Sequence, residues 1–501
     1  MKPKHLLIAV DQGTTGTRTY VLDERARVLG SAYRELTQHF PRPGWVEHEP
    51  MEIWDGAQAT GRAALKAAGL SQGTAARHVA GLGITNQRET VLLWRRRGGR
   101  PLHRAIVWQC RRTAPRCEAL KRRGLEPAIR ASTGLMIDAY FSATKVEWLL
   151  KQVPGAATAA RQGELALGTV DSWLLWNLSG GAAHATDYSN ASRTLLYDIR
   201  AKRWDPRLLR LFGVHPSLLP SVQASASRFG VTTKGAFCGA GVPITGIAGD
   251  QQAALFGQGC VRPGDMKNTY GTGCFLLQNL GGRFRLSRHG LLSTLACGPD
   301  GGPVYALEGA VFIGGAAVQW VRDQLGLIRH AAETEALCRS LHDNGGVYLV
   351  PAFVGLGAPH WDSAARGTLC GLTRGSSAAH VVRAAVESMA FQSADLVTAM
   401  QKDGGLRVRR LRVDGGASRN DWLMQFQADL LGAVVERPAN VETTALGAAL
   451  LAGLGAGLLT PEKVGRLSRT GKLFTPKAKA PARAALLAGW QGALRQAQAH
   501  F

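Results

Sequence analysis

Acidic residues are scarce in this chain. Thirty-six Asp and Glu stand against 60 Lys and Arg, giving a formal net charge of +24 over 501 residues. That shortage first suggests an acidic partner: nucleic acid, an anionic membrane face or a phosphorylated substrate. Aromatic residues are also few, at 7%, beside 61 glycines. This balance fits an enzyme with many tight turns better than an RNA binder built on stacking platforms. The eight cysteines contain no C-x-x-C pair, which excludes the usual zinc spacing and a dense disulfide framework and leaves reduced thiols of a cytoplasmic enzyme. No secretory leader is read, because the apolar run Leu6 to Val10 is broken at once by Asp11. The longest uncharged run, Thr443 to Pro461, is rich in Ala and Gly. It falls at the lower edge of a membrane span and predicts a closely packed buried helix, so no membrane insertion is expected.

Familiar motifs are missing too. There is no G-x-x-x-x-G-K-[ST] phosphate loop and no H-E-x-x-H. Gly69 to Gly73 spells G-x-S-x-G but follows a helix-like segment, whereas a nucleophile elbow needs a preceding strand. Gly453 to Gly457 lacks the strand–turn–helix context of a dinucleotide fingerprint.

What is present is 45% hydrophobic residues in 53.4 kDa, enough for a large core and more than one core usually supports, so two or more domains are expected. Strand-like and helix-like stretches alternate, which makes the class α/β. His5 to Val10, the turn Asp11 to Thr17 and Arg18 to Leu22 predict a hairpin whose loop carries hydroxyls and backbone N–H groups. A related layout recurs halfway along, as Met266 to Tyr270, Gly271 to Gly273 and Cys274 to Leu277. Helical periodicity marks Glu52 to Ala68 and His380 to Met400. A boundary near Leu255 gives an N-terminal domain over 1–254 and a C-terminal domain over 255–501.

Four polar corners carry the chemistry: Asp11 to Arg18, Gly249 to Gln252, Gly271 to Cys274, and Asp414 to Ser418. Each alone reads as a capped turn or a helix N-cap. Together, carboxylates beside hydroxyl- and amide-rich turns suit phosphates and a divalent cation.

In order along the chain, Val10 to Thr15, Gly83 to Thr90, Ile106 to Thr113, Gly134 to Lys145, Gly246 to Leu255, Tyr270 to Phe275, Glu308 to Phe312, Val413 to Gly416 and Thr444 to Ala449 resemble the FGGY carbohydrate kinases. The likeness runs end to end and is closest to members acting on glycerol. It implies a two-domain actin-like ATPase (ribonuclease-H-like) fold with the active site in the interdomain cleft. It also implies ATP and Mg²⁺ as cofactors, and phosphoryl transfer to a terminal hydroxyl of glycerol to give sn-glycerol 3-phosphate. Asp250 matches the catalytic base, and Asp11 and Asp250 match the Mg²⁺-associated carboxylates. Arg88, Glu89, Tyr140, Asp250 and Gln251 match the hydroxyl-binding set, and Trp108 and Phe275 the wall against the carbon backbone. For the nucleotide, Thr14, Thr15, Gly16 and Arg18 match the first phosphate-facing loop, and Thr272, Gly315, Gln319, Gly416 and Asn420 the second-domain positions.

The chain departs from the family pattern in places. Gly16 stands where Ser is commoner, and Ala139 and Ala143 replace Pro and Gly. Gly241 takes the place of an Arg that contributes to fructose 1,6-bisphosphate inhibition in some bacterial members, which puts that inhibition in doubt here. The resemblance implies a homo-oligomer, dimer or tetramer, with glycerol and MgATP as partners and no nucleic acid. Two alternatives stay open: a family kinase for another polyol or ketose, and a non-catalytic actin-like nucleotide-binding regulator. The charge excess is concentrated in Arg95 to Arg130, with twelve basic and two acidic residues, and in Lys463 to Phe501, with eight basic and none acidic.

Overall fold

The computed structural model describes residues 5–467 and 470–499. Two sheets organise it, and the same strand order is written twice. In the first, Leu6–Gln12 pairs antiparallel with Gly16–Asp23, which pairs antiparallel with Val28–Glu35. On its other side Leu6–Gln12 runs parallel to Val79–Asn86, and that strand parallel to Pro243–Gly249. In the second, Met266–Tyr270 pairs antiparallel with Cys274–Gly281, and that with Pro303–Val311. Its other side runs parallel to Arg410–Asp414 and then Val434–Pro438. Each half is therefore an antiparallel meander continued by two parallel strands, the duplication expected of an actin-like fold. Both predicted hairpins form, the first with Asp11 opposite Arg18.

Burial follows position in the sheet. Leu6–Gln12 is central, and its apolar run Leu6 to Val10 is buried throughout because both faces are covered. Val28–Glu35 lies at the edge, and its Ser, Arg and Glu residues face out. Helix Pro50–Ala67 covers one face of the first sheet, where the Thr19 and Thr60 hydroxyls share a hydrogen bond of 2.8 Å. Helix Ala378–Gly404 covers the second. It starts at a reciprocal Ser377–His380 cap and ends at Gly405, whose φ of +67° suits glycine.

The opposite face of the first sheet is closed by a distant segment. Thr443–Gly455 is a buried helix, as the small-residue run predicts. It packs on Leu6–Gln12, Val79–Asn86, Pro243–Gly249 and the helix Asp250–Gly257. A Cβ on Gly83 would collide with the Ala448 carbonyl oxygen, and one on Gly447 with that of Ala253. Backbone thus lies on backbone, pinned where Thr245 Oγ1 donates to the Ala452 carbonyl at 2.8 Å. Among the described residues no helix is long and apolar enough to cross a membrane.

Ser71, inside the G-x-S-x-G match, caps helix Gln72–His78, so the match is an interhelical turn. All eight cysteines are free. Folding pairs five of the twelve basic residues of the 95–130 segment with acids from outside it. Arg95 pairs with Glu164, Arg104 with Glu49, Arg111 with Asp138, Arg112 with Glu47 and Arg116 with Glu147. Of the C-terminal basic segment, Arg469 and Phe501 lie outside the described residues.

Candidate active site

The strand Pro243–Gly249 delivers its last residue into the helix Asp250–Gly257, so the Asp250 carboxylate sits in the first helical turn, where the backbone favours negative charge. Its Oδ1 accepts from the Gln251 backbone N–H at 2.7 Å and lies 3.2 Å from Arg88 Nε. Arg88 follows the neighbouring parallel strand Val79–Asn86, which explains how residues so far apart in sequence meet. Glu89 next to it has φ +63°, a left-handed conformation that costs a non-glycine residue about 1 kcal/mol or more. Its carbonyl is held by Ser142 Oγ at 2.9 Å and its carboxylate by Arg193 Nε at 2.7 Å.

An aromatic wall stands over this pair. The Trp108 ring makes edge contacts with Tyr140 at 5.5 Å and with Phe275 at 6.4 Å between centroids. Tyr140 Oη accepts from Arg88 Nη2 at 3.4 Å, and Trp108 Nε1 donates to Thr14 Oγ1 at 2.9 Å. All seven residues of the expected polyol set, Arg88, Glu89, Trp108, Tyr140, Asp250, Gln251 and Phe275, therefore stand together. The first hairpin turn adjoins them through Thr14.

The nucleotide positions divide. Thr272, Gly315, Gln319, Gly416 and Asn420 all line one cavity of about 570 Å³ in the second half, with Met389, Ala417 and Leu423 as apolar wall. Asn420 caps the helix Asp421–Leu431 by accepting from Leu423 N–H, and donates to Thr334 at 3.2 Å. Thr14, Thr15, Gly16 and Arg18 do not line that cavity, and of these Thr14 reaches Trp108. A Cβ at Gly16 would lie 2.5 Å from both the Arg34 carbonyl and Tyr33 Oη, so Tyr33 occupies the space a serine side chain would need. Arg18 pairs with Glu442 at 3.0 Å and its guanidinium lies over the Tyr33 ring.

Charge is crowded here, and proton affinities respond. Burial raises Asp250 above the ordinary carboxylate range, while Arg88 and Lys267 pull it back. Burial, then the Asp250 and Glu442 charges, push Asp11 up to about 7 against the pull of Arg18. Burial works against ionising Glu308, yet Arg193 and Arg88 outweigh it and hold it down to about 2. Lys267 is depressed by burial to about 8, with Asp414 and Asp250 opposing. Its ammonium donates to Gln251 Oε1 at 2.5 Å and to Thr269 Oγ1 at 2.7 Å.

Magnesium suits this donor set. The Asp11 carboxylate makes no hydrogen bond or ion pair among the described residues, and burial beside the Asp250 and Glu442 charges raises its proton affinity more than Arg18 lowers it. Among the described residues no cluster of three or more His, Cys, Asp or Glu could hold a metal alone. Magnesium takes one or two carboxylates and completes its shell with phosphate and water.

Arg193, Lys267 and Glu308 carry much of the site, and the sequence reading gave none of them a role. Glu308 was within reach, since it opens one of the matched stretches. Lys267 sits one residue into a predicted strand, and Arg193 lies outside every polar corner.

The duplicated sheets, the hydroxyl-rich corners and the buried carboxylate cluster define a two-domain phosphotransferase with an interdomain cleft. Signatures described as the FGGY family of carbohydrate kinases match residues 6–257 for the N-terminal domain and 266–456 for the C-terminal domain. The chain belongs to that family. It is 54% identical over 490 residues to a glycerol kinase of Halorhodospira halophila, covering 98% of this chain and 96% of that one. To the glycerol kinase of Alkaliphilus metalliredigens it is 51% identical over 495 residues, covering 99% and 98%. Among solved structures, Plasmodium falciparum glycerol kinase with ADP superposes with a TM-score of 0.91 at 33% identity, over 99% of this chain and 98% of that one.

Proposed function

We propose that this protein is a cytoplasmic kinase that transfers the γ-phosphoryl group of MgATP to a terminal hydroxyl of glycerol, giving sn-glycerol 3-phosphate and ADP. One observation carries the reading. Of the three carboxylates around Arg88, Glu89 and Glu308 are sealed, with side chains 2% and 0% exposed, while Asp250 stays 27% exposed to the cleft. A general base must reach its substrate, and Asp250 alone of the three does.

Glycerol offers three hydroxyls on a short carbon chain. Arg88, Tyr140 and Gln251 supply polar contacts, and Trp108 with Phe275 supplies the apolar wall. Asp250 accepts the proton of the terminal hydroxyl as its oxygen bonds to the γ-phosphorus, and the bond from that phosphorus to the ADP oxygen breaks. The Thr14–Gly16 turn and the Gly271–Gly273 corner offer backbone N–H groups and hydroxyls to the phosphates, and glycine lets backbone approach closely. Asp11 and Asp250 are the residues that would hold Mg²⁺, which when bound neutralises phosphate charge. The identities above 50% to glycerol kinases over nearly the whole chain support the choice of polyol, and the free cysteines support a reducing compartment.

A coupled assay of ADP release across glycerol, longer polyols and pentuloses tests this. Glycerol is expected to give the highest kcat/KM; a pentulose preferred over glycerol overturns the substrate assignment.

A further inference from the structure

The polyol side contains a component that comes from the other half of the molecule. Glu308 lies on Pro303–Val311 of the second sheet, yet its carboxylate reaches Arg88 of the first half. A guanidinium has five N–H donors in a rigid fork. Arg88 Nη1 donates to Glu308 Oε2 at 2.6 Å and to Gln252 Oε1 at 3.2 Å, and Nη2 to Glu308 Oε1 at 2.9 Å and to Tyr140 at 3.4 Å. Nε faces Asp250. The two short contacts are both to Glu308, a bidentate pairing that fixes the plane of the guanidinium as well as its place.

Arg193 completes the grip. Its Nη2 donates to Glu308 Oε1 at 2.9 Å and its Nε to Glu89. Its guanidinium carbon lies 5.7 Å from the Tyr140 ring centroid, while Nη1 is buried with no hydrogen-bond partner. Arg193 thus touches Glu308 and two members of the expected polyol set at once.

We propose that Glu308, with Arg193, is the positioning pair of the polyol site: Glu308 locks the Arg88 fork so that Nε meets the Asp250 carboxylate and the Nη2–Tyr140 edge is presented to a substrate hydroxyl. Neither residue needs to touch substrate. The polyol site is accordingly assembled from both halves, and it is complete only when Pro303–Val311 is docked against the first.

This rests on the polyol-kinase reading, so the wild-type protein is run against glycerol and other polyols in the same assay as the variants. Absence of any polyol turnover by wild type would sink that reading, whereas normal turnover leaves the role of Glu308 to be judged by its variants. In Glu308→Gln, KM for the preferred polyol is expected to rise roughly 30- to 100-fold, the loss typical of a charged hydrogen-bond partner. The Kd for metal-free ADP, proposed to occupy a cavity that Glu308 does not line, should stay within about twofold. Glu308→Asp, which keeps the charge, should recover part of the loss. Because Glu308→Gln leaves two buried arginines short of a counter-charge, the charge-balanced Arg193→Met/Glu308→Gln variant keeps the test valid if the single variant does not fold. Thermal stability is expected to return in the double variant while the polyol KM stays high. A polyol KM within about threefold of wild type, in the folded single variant or in the double variant, would overturn the proposal and reduce Glu308 to a structural counter-ion.

Discussion

The surroundings of Asp250, proposed to take the polyol, and the cavity proposed to take the nucleotide are made of different materials. Around Asp250 the contacts are buried side-chain charges, Arg88, Arg193 and Lys267 against Glu89, Glu308 and Asp250, each held by short directional bonds. Around the 570 Å³ cavity just over half of the wall is glycine, alanine and larger apolar side chains, and Arg322, Glu335 and Arg419 join Thr272, Gln319 and Asn420 among its polar residues. A small substrate with three similar hydroxyls has little surface to bury, so discrimination must come from fixed donors and acceptors. A nucleotide brings its own large aromatic base and charges, and a shaped, apolar slot bounded by backbone suffices. Changes on the first side should therefore act through charge, and changes on the second through volume.

The largest expected effect breaks the charged side alone. Asp250→Asn keeps the shape and removes the base, and turnover should fall roughly a thousandfold, with metal-free ADP affinity unchanged by calorimetry. An equal loss of ADP affinity would erase the distinction between the sides.

Asp11→Asn separates charge from stability. The folded-state pKa of about 7 lies above the ordinary 3.8, so ionised Asp11 costs stability above about pH 7, and that cost disappears as pH falls from 7 toward 4. The variant should lose most Mg²⁺-dependent activity, yet the ligand-free protein at about pH 8 should gain roughly 1–2 kcal/mol in denaturant unfolding, with no gain at about pH 4. Unchanged stability at the higher pH would mean that Asp11 is compensated already.

Gly416→Val probes volume. A Cβ at Gly416 meets nothing within 4 Å, and Gly416 lines the cavity, so the added side chain is expected to take up cavity space. KM for ATP should rise about tenfold and KM for glycerol should stay within about twofold. A matched rise in both would show that the two sides are not independent.

The smallest effect concerns the net charge. Arg95, Arg104, Arg111, Arg112 and Arg116 are paired to acids brought in by folding, which weakens the field of that segment. Between low and physiological ionic strength, kcat/KM for ATP should change by less than about threefold; a steep fall would restore electrostatic steering.

The same contrast explains what was legible in the sequence. Turns that face phosphate announce themselves locally, because Asp11-Gln12-Gly13-Thr14-Thr15 or Gly271-Thr272-Gly273 holds its hydroxyls and glycines within one corner. The α/β class and both hairpins follow from equally local alternation. The charged cluster is written across three distant segments, at Arg88, Arg193 and Glu308, and no spacing rule connects them. Lys267 is harder still: a lysine inside a strand of a two-faced buried sheet reads as an interruption until Gln251, Asp414 and Asp250 surround it. The helix Thr443–Gly455 was visible as a run of small residues, but its destination on the first sheet was not, since close backbone packing leaves no mark at the other end except the isolated glycines 81, 83 and 246.

That helix has a consequence for how the protein comes into being. The last strand of the first sheet ends at Gly249, but the helix that closes its face begins at Thr443. On the ribosome the first half must wait for nearly all of the second to be made, roughly 10–40 s at ordinary synthesis rates. Throughout that interval Leu7, Ala9 and Ala248, which the helix later covers, lack their neighbours. The N-terminal half thus lacks one wall of its core until the chain beyond residue 443 has been made.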